Sequence, residues 1–481
     1  MTQPNSPVDV SCAYSAGQQF PPGALAPWVS PSTGQVLAQI SETPEVVIAQ
    51  VVTLAQSAYQ KHRRATLAQR SQWLAQAGDA LAAAAAEVVE LIVADVGKPR
   101  RVAAGEVQRS IDFIRACARE VLNMGGEVLP LEAMAAGAGH FGFTRHVPLG
   151  VVAAITPFNA PANLLCQKVA PALAAGNAVV VKPHPAATRA AVRIARAFSD
   201  GGVPAGLFNV VTGDRSAALT LVSQDQVRAV TFTGGNQAAE ALSRVVGTKK
   251  FLTELGSNAA NVVLADADLA DAARRIAGAA FEASGQQCVS AQRVIVERAV
   301  LAPFLDLFVA AAKALKVGPA EDATTDLGPM VSRTQADRVM RIARESVAQG
   351  ARFALEPVQQ GCTVSPGILV AAARSSPVWT EEAFGPIAVV EPADDVQHAL
   401  ALANDSEFGL QGAVFTTNLN AAFLFSDDFD VGSLWINEAS RYRLDCYPFG
   451  GSKKSGSGRE GVRYAIQELS QLKFTGMRLS R

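Results

Sequence analysis

Cysteine is scarce in this sequence, and no two cysteines have the spacing that a disulfide-rich domain or a zinc motif requires. The six cysteines stand far apart along 481 residues, with no CxxC pair and no histidine close by. Closed zinc sites need clustered cysteine and histidine ligands. We therefore expect thiols rather than disulfides, and no metal site.

The sequence also lacks an excess of charge of either sign and a long apolar run. The 42 basic residues nearly balance the 43 acidic ones, which argues against binding to nucleic acid or to an anionic membrane. The most apolar helical stretch, residues 80–93, contains Glu87 and Glu90 and is shorter than the roughly 20 residues that cross a bilayer. The polar segment 1–16 has no secretory pattern. We expect a cytoplasmic protein whose partner is a small molecule, neither nucleic acid nor membrane.

Length and composition favour a globular protein of two domains. A single hydrophobic core stops growing near roughly 250–300 residues, and this chain has 481, of which 49% are hydrophobic and 18% charged. A helical pattern from Pro44 to Asp95 stops at Gly97, where glycine followed closely by proline is typical of a helix end. Beyond it, β-branched runs such as 151–155 and 178–181 alternate with helical stretches. This alternation predicts an α/β fold with buried parallel strands.

A second series of strand and helix patterns begins after Gly256, where we place a domain boundary. It contains the apolar runs 261–264 and 293–296. Two further segments, 141–146 and 471–479, alternate as exposed strands do. Such strand edges pair with each other or with another subunit.

Polar residues and glycines follow the strands of the first series where a ligand can reach them, because ligands of parallel α/β sheets bind beyond the carboxyl ends of the strands. Asn159 can donate hydrogen bonds to a developing oxyanion, or it can simply cap the next helix. Lys182 can contact a ribose or phosphate, and Gly234 and Gly235 allow the backbone to approach a pyrophosphate. Taken singly, each of these residues fits an ordinary turn or surface position as well.

Two further residues have the chemistry of a base and a nucleophile. Glu254 ends an apolar segment, where partial burial raises a carboxyl pKa toward that of a general base. Cys288 lies in a short polar loop between a helix and a strand, although a single cysteine is more often buried and inert. The combination of these residues with Asn159, rather than any one of them, favours catalysis.

The motifs taken together match one family in identity, order and spacing. They are Gly97-Lys98-Pro99, TPFNAP at 156–161, KP at 182–183, FTGG at 232–235, ELGSN at 254–258, GQQC at 285–288, EEAFGP at 381–386 and PFGGSKKSGSGRE at 448–460. On these motifs the chain resembles the NAD(P)-dependent aldehyde dehydrogenases, which oxidise an aldehyde to a carboxylic acid. FTGG, ELGSN and Arg443-Leu444-Asp445 are similar to the subset that includes lactaldehyde and phosphonoacetaldehyde dehydrogenases.

The resemblance implies a catalytic role for four residues. Cys288 matches the nucleophile, Glu254 the residue that activates the hydrolytic water, and Asn159 the side chain that stabilises the oxyanion. Lys168 matches a lysine that helps to relay protons. The chemistry agrees, because a thiolate adds reversibly to an aldehyde at neutral pH and the oxygen anion that forms needs hydrogen-bond donors.

The resemblance also implies a dinucleotide cofactor, NAD or NADP, with NAD favoured. Lys182 matches the lysine that contacts the adenosine ribose, and Glu382 and Phe384 match the pair that holds the nicotinamide ribose and ring. Pro185 stands where many relatives have a glutamate that binds the ribose hydroxyls, so NADP stays open. The implied cofactor residues are Ile155, Thr156, Pro157, Phe158, Lys182, Gly213, Phe232, Thr233, Gly234, Gly235, Leu255, Gly256, Glu382 and Phe384.

The substrate is expected to be a small-molecule aldehyde, and its charge is left open. Arg441 and Arg443 can pair with an anionic aldehyde, because a guanidinium matches carboxylate and phosphonate geometry, or they can form salt bridges within the protein. Gln287 precedes the nucleophile where anion-using relatives often have arginine, and Ala160 follows Asn159 where a polar residue occurs. Two alternatives are an enzyme that passes the acyl group to coenzyme A and a catalytically silent homologue. Glu254 argues against the coenzyme A branch, which usually lacks it.

The resemblance finally implies three parts and a homodimer or homotetramer. Residues 1–128 and 149–256 are expected to form a Rossmann-like NAD(P)-binding domain, and 257–468 a second α/β catalytic domain. Residues 129–148 and 469–481 are expected to form a small β extension for oligomerisation.

Overall fold

The computed structural model describes residues 9–479. Residues 1–8 of the polar N-terminal segment and residues 480–481 of the expected oligomerisation segment lie outside the described residues. The α-helices of the described chain are α1 (Glu45–His62), α2 (Leu67–Ala83), α3 (Ala85–Val96), α4 (Arg100–Glu120), α5 (Asn163–Ala175), α6 (Thr188–Asp200), α7 (Arg215–Ser223), α8 (Asn236–Val246), α9 (Leu269–Phe281), α10 (Leu301–Lys313), α11 (Arg333–Ala348), α12 (Pro377–Thr380), α13 (Val396–Asn404), α14 (Leu419–Asp428) and α15 (Val462–Glu468).

The strands of the described residues form an eight-stranded sheet, a seven-stranded sheet, two three-stranded sheets and two short pairs. In chain order the strands are β1 (Asp9–Ser11), β2 (Tyr14–Ser15), β3 (Gln18–Gln19), β4 (Leu25–Val29), β5 (Val36–Ser41), β6 (Val128–Leu129), β7 (His140–Pro148), β8 (Val151–Thr156), β9 (Ala178–Pro183), β10 (Phe208–Val210), β11 (Val227–Thr233), β12 (Lys250–Glu254), β13 (Ala260–Val263), β14 (Arg293–Glu297), β15 (Arg352–Leu355), β16 (Gln359–Gln360), β17 (Thr363–Val364), β18 (Gly367–Val370), β19 (Ile387–Ala393), β20 (Phe408–Gly409), β21 (Gln411–Phe415), β22 (Ser433–Ile436), β23 (Ser452–Lys453), β24 (Gly456–Ser457) and β25 (Ser470–Arg478). The two three-stranded sheets are β1-β5-β4 and β25-β7-β6, the latter called the third sheet below.

The first sheet brings most of the predicted cofactor residues to one edge. Its order is β24-β12-β11-β8-β9-β10-β2-β3, and the strands from β12 to β10 run parallel. β8 and β9 are buried along their whole length, as continuous apolar runs predict. Because the carboxyl ends of parallel strands meet at one edge, Asn159, Lys182 and Gly234 lie along that edge.

The second sheet carries the nucleophile loop. Its order is β15-β18-β19-β14-β13-β21-β22, with β15 antiparallel and the other neighbours parallel. Each face is covered by its own apolar cluster. Near its end the chain returns to the first sheet, where β24 pairs with β12 and α15 packs on α5. We retain a division near Gly256 as a proposal, with residues 456–468 packed against the first unit.

The third sheet joins the two segments that the sequence predicts as exposed strands. β7 and β25 pair with each other, antiparallel, from Ser470 opposite Pro148 to Arg478 opposite His140. β6 covers the other edge of β7. Of the two partners that the sequence leaves open, the structure therefore shows the intramolecular one.

The helical opening of the chain ends where the sequence predicts. Gly97 caps α3 with a φ of +70°, a conformation that glycine adopts without strain. A Cβ at this position would lie 2.6 Å from Cγ of Pro329, so the packing also requires glycine. The turn directs Lys98 toward the predicted site.

Three further features concern the described residues, 9–479. Every helix in this range falls short of the length or the apolar content that crossing a membrane takes. The cysteines here form no disulfide, and no cluster of three or more His, Cys, Asp or Glu side chains in this range is placed to hold a metal ion.

Candidate active site

The loop that carries Cys288 is held in an unusual backbone conformation. Ala283, Ser284 and Gly285 have φ values of +53°, +58° and +65°, and the Ser284 hydroxyl donates to Gly328 O at 2.7 Å. A Cβ on Gly285 would lie 2.2 Å from Gly385 O. Only glycine therefore allows this loop to pack closely against its neighbour, and the packing fixes the approach to Cys288.

Cys288 lies where two crevices meet. One cavity, of about 360 Å³, is lined by Asn159, Cys288 and Glu254 and by many of the predicted cofactor residues. The other, of about 320 Å³, is lined by Asn159, Cys288 and a group of basic side chains. The structure thus brings three of the four predicted catalytic groups to one place and gives the sulfur access from two sides.

Asn159 is positioned by a buried ion pair from α4. Lys98 pairs with Glu106 and also donates to the backbone oxygen of Asn159. The second oxygen of Glu106 accepts from the N–H groups of Ala162 and Asn163, at 2.8 and 3.2 Å, at the start of α5. A carboxylate at a helix N-terminus is favoured by the helix dipole. α4 therefore fixes the loop that presents the Asn159 amide.

Glu254 is buried at the end of β12, and one of its carboxylate oxygens has no hydrogen-bond partner in the described chain. Burial raises the pKa of Glu254 well above its ordinary value, and the nearby charge of Glu460 adds to the rise. Arg443 and Lys168 act in the opposite direction. A carboxyl group in this setting is a better proton acceptor once ionised than one in water.

The surroundings of Cys288 also disfavour the ionised form of its side chain. Withdrawal from water raises the pKa of Cys288 to about 12, and the negative charge of Glu382 contributes, while Arg443 lowers it. A thiolate is the reactive species. Cys288 must therefore lose its proton to a neighbouring group when it reacts.

Glu382 and Phe384 form one wall of the larger crevice. A carboxylate oxygen of Glu382 accepts from the N–H of Ser257 at 2.9 Å, and burial raises the pKa of Glu382 to about 7. Phe384 has a φ of +47°, and its ring contacts that of Phe158 edge to face with centroids 5.9 Å apart. Arg338 donates to the backbone oxygens of Glu382 and of the residue after it, which fixes this wall.

The other predicted cofactor residues divide between this crevice and the nearby sheet edge. The crevice is lined by Pro157, Phe158, Thr233, Gly234, Gly235, Leu255, Gly256, Glu382 and Phe384. Outside it lie Ile155, Thr156, Lys182, Gly213 and Phe232, all of them buried at or near the carboxyl ends of strands of the first sheet.

The predicted relay residue, Lys168, lies behind Glu254 rather than in either crevice. It is buried on α5, where its ammonium group contacts Glu460 and the Thr231 hydroxyl, each at 3.1 Å. Glu460 also accepts from Arg443 at 2.9 Å. Lys168 therefore makes no hydrogen bond to the predicted base and acts on it through its charge and through Glu460.

The two candidate substrate arginines line the smaller crevice and have partners within the protein. Arg441 donates to Gln287 at 2.9 Å and pairs with Glu282. Arg443 donates to Gln167 and Glu460. The internal salt bridges that the sequence allows are therefore present, and both arginines still face the cavity.

Comparison with known proteins agrees with this geometry. A family model described as the aldehyde dehydrogenase family matches residues 22–475. The chain belongs to the aldehyde dehydrogenase family.

Individual relatives of this aldehyde dehydrogenase match most of its length. It is 37% identical to 3-sulfolactaldehyde dehydrogenase from Priestia aryabhattai over 404 residues. This alignment covers 84% of this chain and 85% of the relative. It is 35% identical over 417 residues to aspartate-semialdehyde dehydrogenase 1 from Pseudomonas canavaninivorans, 87% of each chain. The solved NADP-dependent glyceraldehyde-3-phosphate dehydrogenase from Bacillus halodurans C-125, complexed with NADP, superposes with a TM-score of 0.95 and 30% identity over 98% of this chain and 99% of that one. The predicted family, α/β fold and class of enzyme, an oxidoreductase acting on aldehydes, are confirmed.

Several functional residues of this aldehyde dehydrogenase are missed by sequence reasoning. Lys98 and Glu460 belong to motifs that mark the family, although neither motif indicates a partner. Glu106 and Arg338 lie inside ordinary helical patterns. Their roles depend on contacts with distant loops, so no local signal marks them.

Proposed function

We propose that this aldehyde dehydrogenase oxidises a small anionic aldehyde to the carboxylic acid, with NAD or NADP as oxidant and Cys288 as nucleophile. The observation that carries the proposal is the position of Cys288 and Asn159 at the junction of two crevices, one of which also contains Glu254. One crevice suits a dinucleotide and the other an aldehyde. The reacting carbon is then held between sulfur, amide and oxidant.

In the proposed reaction, the Cys288 thiolate adds to the aldehyde carbon and forms a thiohemiacetal. The Asn159 amide donates to its oxygen anion, a contact of a kind worth about 2.7–4 kcal/mol of barrier in other enzymes. A dinucleotide held by the residues of the larger crevice would supply the acceptor for the hydride that leaves the carbon. A thioester remains on the sulfur, and Glu254 takes a proton from the water that cleaves it, releasing the acid and the thiol.

The residues present fit a dinucleotide. Gly234 and Gly235 precede α8, so backbone and helix N-terminus can approach a phosphate. Lys182 is buried and has no hydrogen bond or ion pair in the described chain, and its desolvation lowers its pKa to about 8. A bound ribose or phosphate oxygen would supply the partner that this ammonium group lacks.

The smaller crevice favours a negatively charged aldehyde. Five basic residues line it, Lys98, Arg101, Arg109, Arg441 and Arg443, and only two acidic residues do so, Glu106 and Glu282. The Nε atom of Arg443 is buried and has no hydrogen-bond partner in the described chain. The names of the relatives above describe aldehydes with a sulfonate, a carboxylate or a phosphate, which supports the same class for this chain.

The test is an assay of anionic, neutral and aromatic aldehydes with NAD and with NADP, followed by the absorbance of the reduced nicotinamide. We expect the highest kcat/KM with short anionic aldehydes, and no oxidation by Cys288→Ala, which still binds the dinucleotide. The matched control Cys446→Ala removes an exposed thiol and keeps activity. Oxidation by Cys288→Ala, or a preference for neutral aldehydes, would contradict the proposal.

Transfer of the acyl group to coenzyme A is the alternative reaction. It predicts product formation only when that thiol is added. Glu254 in the cofactor crevice favours water as the acceptor, and a catalytically silent homologue has no need of an intact Cys288, Glu254 and Asn159. Turnover without an added thiol distinguishes the hydrolytic enzyme from both alternatives.

We further propose a homodimer or homotetramer assembled through the third sheet. Leu472 and Phe474 of β25 are exposed, as is Val128 at the start of β6. The outer edge of β25 is also unpaired within the described chain. Exposed apolar strands of this kind are suited to pairing with a second subunit.

A further inference from the structure

A carboxylate that no motif marks lies close to Lys182, the residue proposed to contact the adenosine ribose. Glu42 follows β5 and reaches the loop after β10. One of its oxygens accepts from the Asp214 N–H at 2.7 Å, and the other accepts from the Ser216 hydroxyl at 3.2 Å. A segment far away in sequence thus supplies a negative charge to this loop.

The backbone fixes Glu42 at the carboxyl end of β10. The Thr212 hydroxyl donates to Ser41 O at 2.6 Å, and the Thr43 N–H donates to Thr212 O at 3.0 Å. Gly213 leaves room for the carboxylate, because a Cβ there would lie 2.3 Å from a Glu42 oxygen. The position of Glu42 is therefore built into the fold.

Glu42 shares this corner with Lys182, which ends the neighbouring strand β9. The lysine is buried without a partner in the described chain, and the negative charges of Glu42 and Asp214 favour its ammonium form. An ammonium group only donates hydrogen bonds, whereas a carboxylate only accepts them. The pair suits a ligand that carries adjacent hydroxyl groups, as a ribose does.

We propose that Glu42 selects NAD over NADP, by accepting a hydrogen bond from the 2′-hydroxyl of the adenosine ribose and repelling a 2′-phosphate. The proposal rests on the proposed function, since it concerns the same cofactor site. In other dinucleotide sites an acidic residue on the sheet binds this hydroxyl. Here Pro185, after β9, cannot provide this carboxylate. Glu42, directly after β5, provides it instead.

The test measures the binding of NAD and NADP to the free enzyme by isothermal titration calorimetry, without aldehyde. We expect the wild type to bind NAD at least about tenfold more tightly, because a phosphate dianion near a carboxylate is repelled at the edge of a crevice. Glu42→Gln keeps the side-chain shape and removes the charge, so the ratio of the two Kd values should fall about tenfold. The matched control Glu45→Gln changes an exposed glutamate three positions away and should leave the ratio unchanged.

Two further variants separate charge from structural support, because Glu42 also holds the 213–216 loop. Glu42→Asp keeps the charge and should keep the preference for NAD. Pro185→Glu, added to Glu42→Gln, returns a carboxylate to the site and should restore the preference. Circular dichroism checks that each variant is folded.

The outcomes are distinct. An unchanged Kd ratio in folded Glu42→Gln would overturn the inference. Tighter binding of NADP than of NAD by the wild type would also overturn the inference. Arg215, the first residue of α7, would then be the candidate for holding the phosphate. If Glu42→Gln does not fold, the wild type and Glu42→Asp decide the question. Failure of the wild type to bind either dinucleotide would instead show that the proposed function is wrong.

Discussion

At the scale of single residues, burial has the same electrostatic effect on the proposed nucleophile, Cys288, and on the proposed base, Glu254. Burial raises the pKa of both Cys288 and Glu254, so it disfavours the ionised form that each group needs for its proposed role. Arg443 opposes both shifts. The cluster that contains it is therefore placed to influence the nucleophile and the base together.

Replacement of Glu254 by glutamine should separate the two halves of the reaction. Without a base the thioester accumulates, so a stoichiometric burst of reduced cofactor should precede steady turnover that is slower by about 10²–10⁴-fold, the usual contribution of a general base. Stopped-flow absorbance measures both phases. Glu240→Gln, on an exposed part of α8, is the matched control. Undiminished steady turnover in Glu254→Gln would refute its role.

The pH dependence is part of the same prediction. Glu254 accepts a proton only when ionised, and its pKa is raised, so kcat of the wild type should increase as pH rises beyond the ordinary range of a glutamate. This rise of kcat with pH should be absent in Glu254→Gln. A wild-type kcat that does not change with pH, when hydrolysis limits the rate, would count against the assignment.

The sequence predicts residues that react but not the residues that support them. Cys288, Glu254 and Asn159 could be found because their neighbours form recognisable motifs. Glu106 and Glu42 could not, since each acts on a loop that only the folded chain brings close. A carboxylate in a helix or after a strand is locally indistinguishable from a solvated one.

At the scale of elements, the nucleophile loop depends on one close backbone contact. The Ala283–Gly285 turn reaches Gly385 so closely that no Cβ fits. Because Gly385 follows Phe384 of the cofactor wall, the same contact couples the position of the sulfur to that wall. A small displacement here changes two sides of the site.

Gly285→Ala should lower activity by about 10²-fold or more, because a misplacement of about 1 Å near the reacting atoms has that effect. Gly361→Ala is the matched control, since Gly361 has a φ of +61° but a Cβ added there would meet no other group within 4 Å. Both changes cost roughly 1–2 kcal/mol of backbone strain, visible as a lower Tm. Equal kcat values for the two variants would show that the close contact does not position Cys288.

Strands are predicted better than the starts of helices. The run at 151–155 is β8 with one further residue, because buried parallel strands need continuous apolar side chains. α5, by contrast, begins at Asn163 and has no side-chain cap from the residue before it, Ala162. The start is set by Glu106, which accepts from the N–H groups there, and that contact is tertiary.

At the scale of the whole molecule, the third sheet carries a group of exposed apolar side chains. Its strands pair within one chain, yet the exposed apolar side chains of β25 remain uncovered by the described residues. The sequence indicates the exposed strands and cannot indicate their pairing, because alternation is the same in either arrangement. Likewise, the composition of residues 456–468 does not predict that this segment packs against the first sheet.

The proposed assembly predicts a change of mass. Light scattering should give a dimer or tetramer for the wild type, and Leu472→Glu should shift it toward a smaller species, because a charge is introduced on the apolar face of β25. Leu419→Glu is the matched control, as Leu419 is equally exposed at the start of α14. A monomeric wild type would refute this arrangement.

The separate crevices on either side of Cys288 have a consequence for inhibition. Glu254 lines the one proposed for the dinucleotide and not the one proposed for the aldehyde. A dinucleotide held in that crevice would therefore share its volume with the water that Glu254 is proposed to activate. On the proposed mechanism, a ligand that filled this volume permanently would keep water from Glu254 and would leave the acyl group on the sulfur of Cys288.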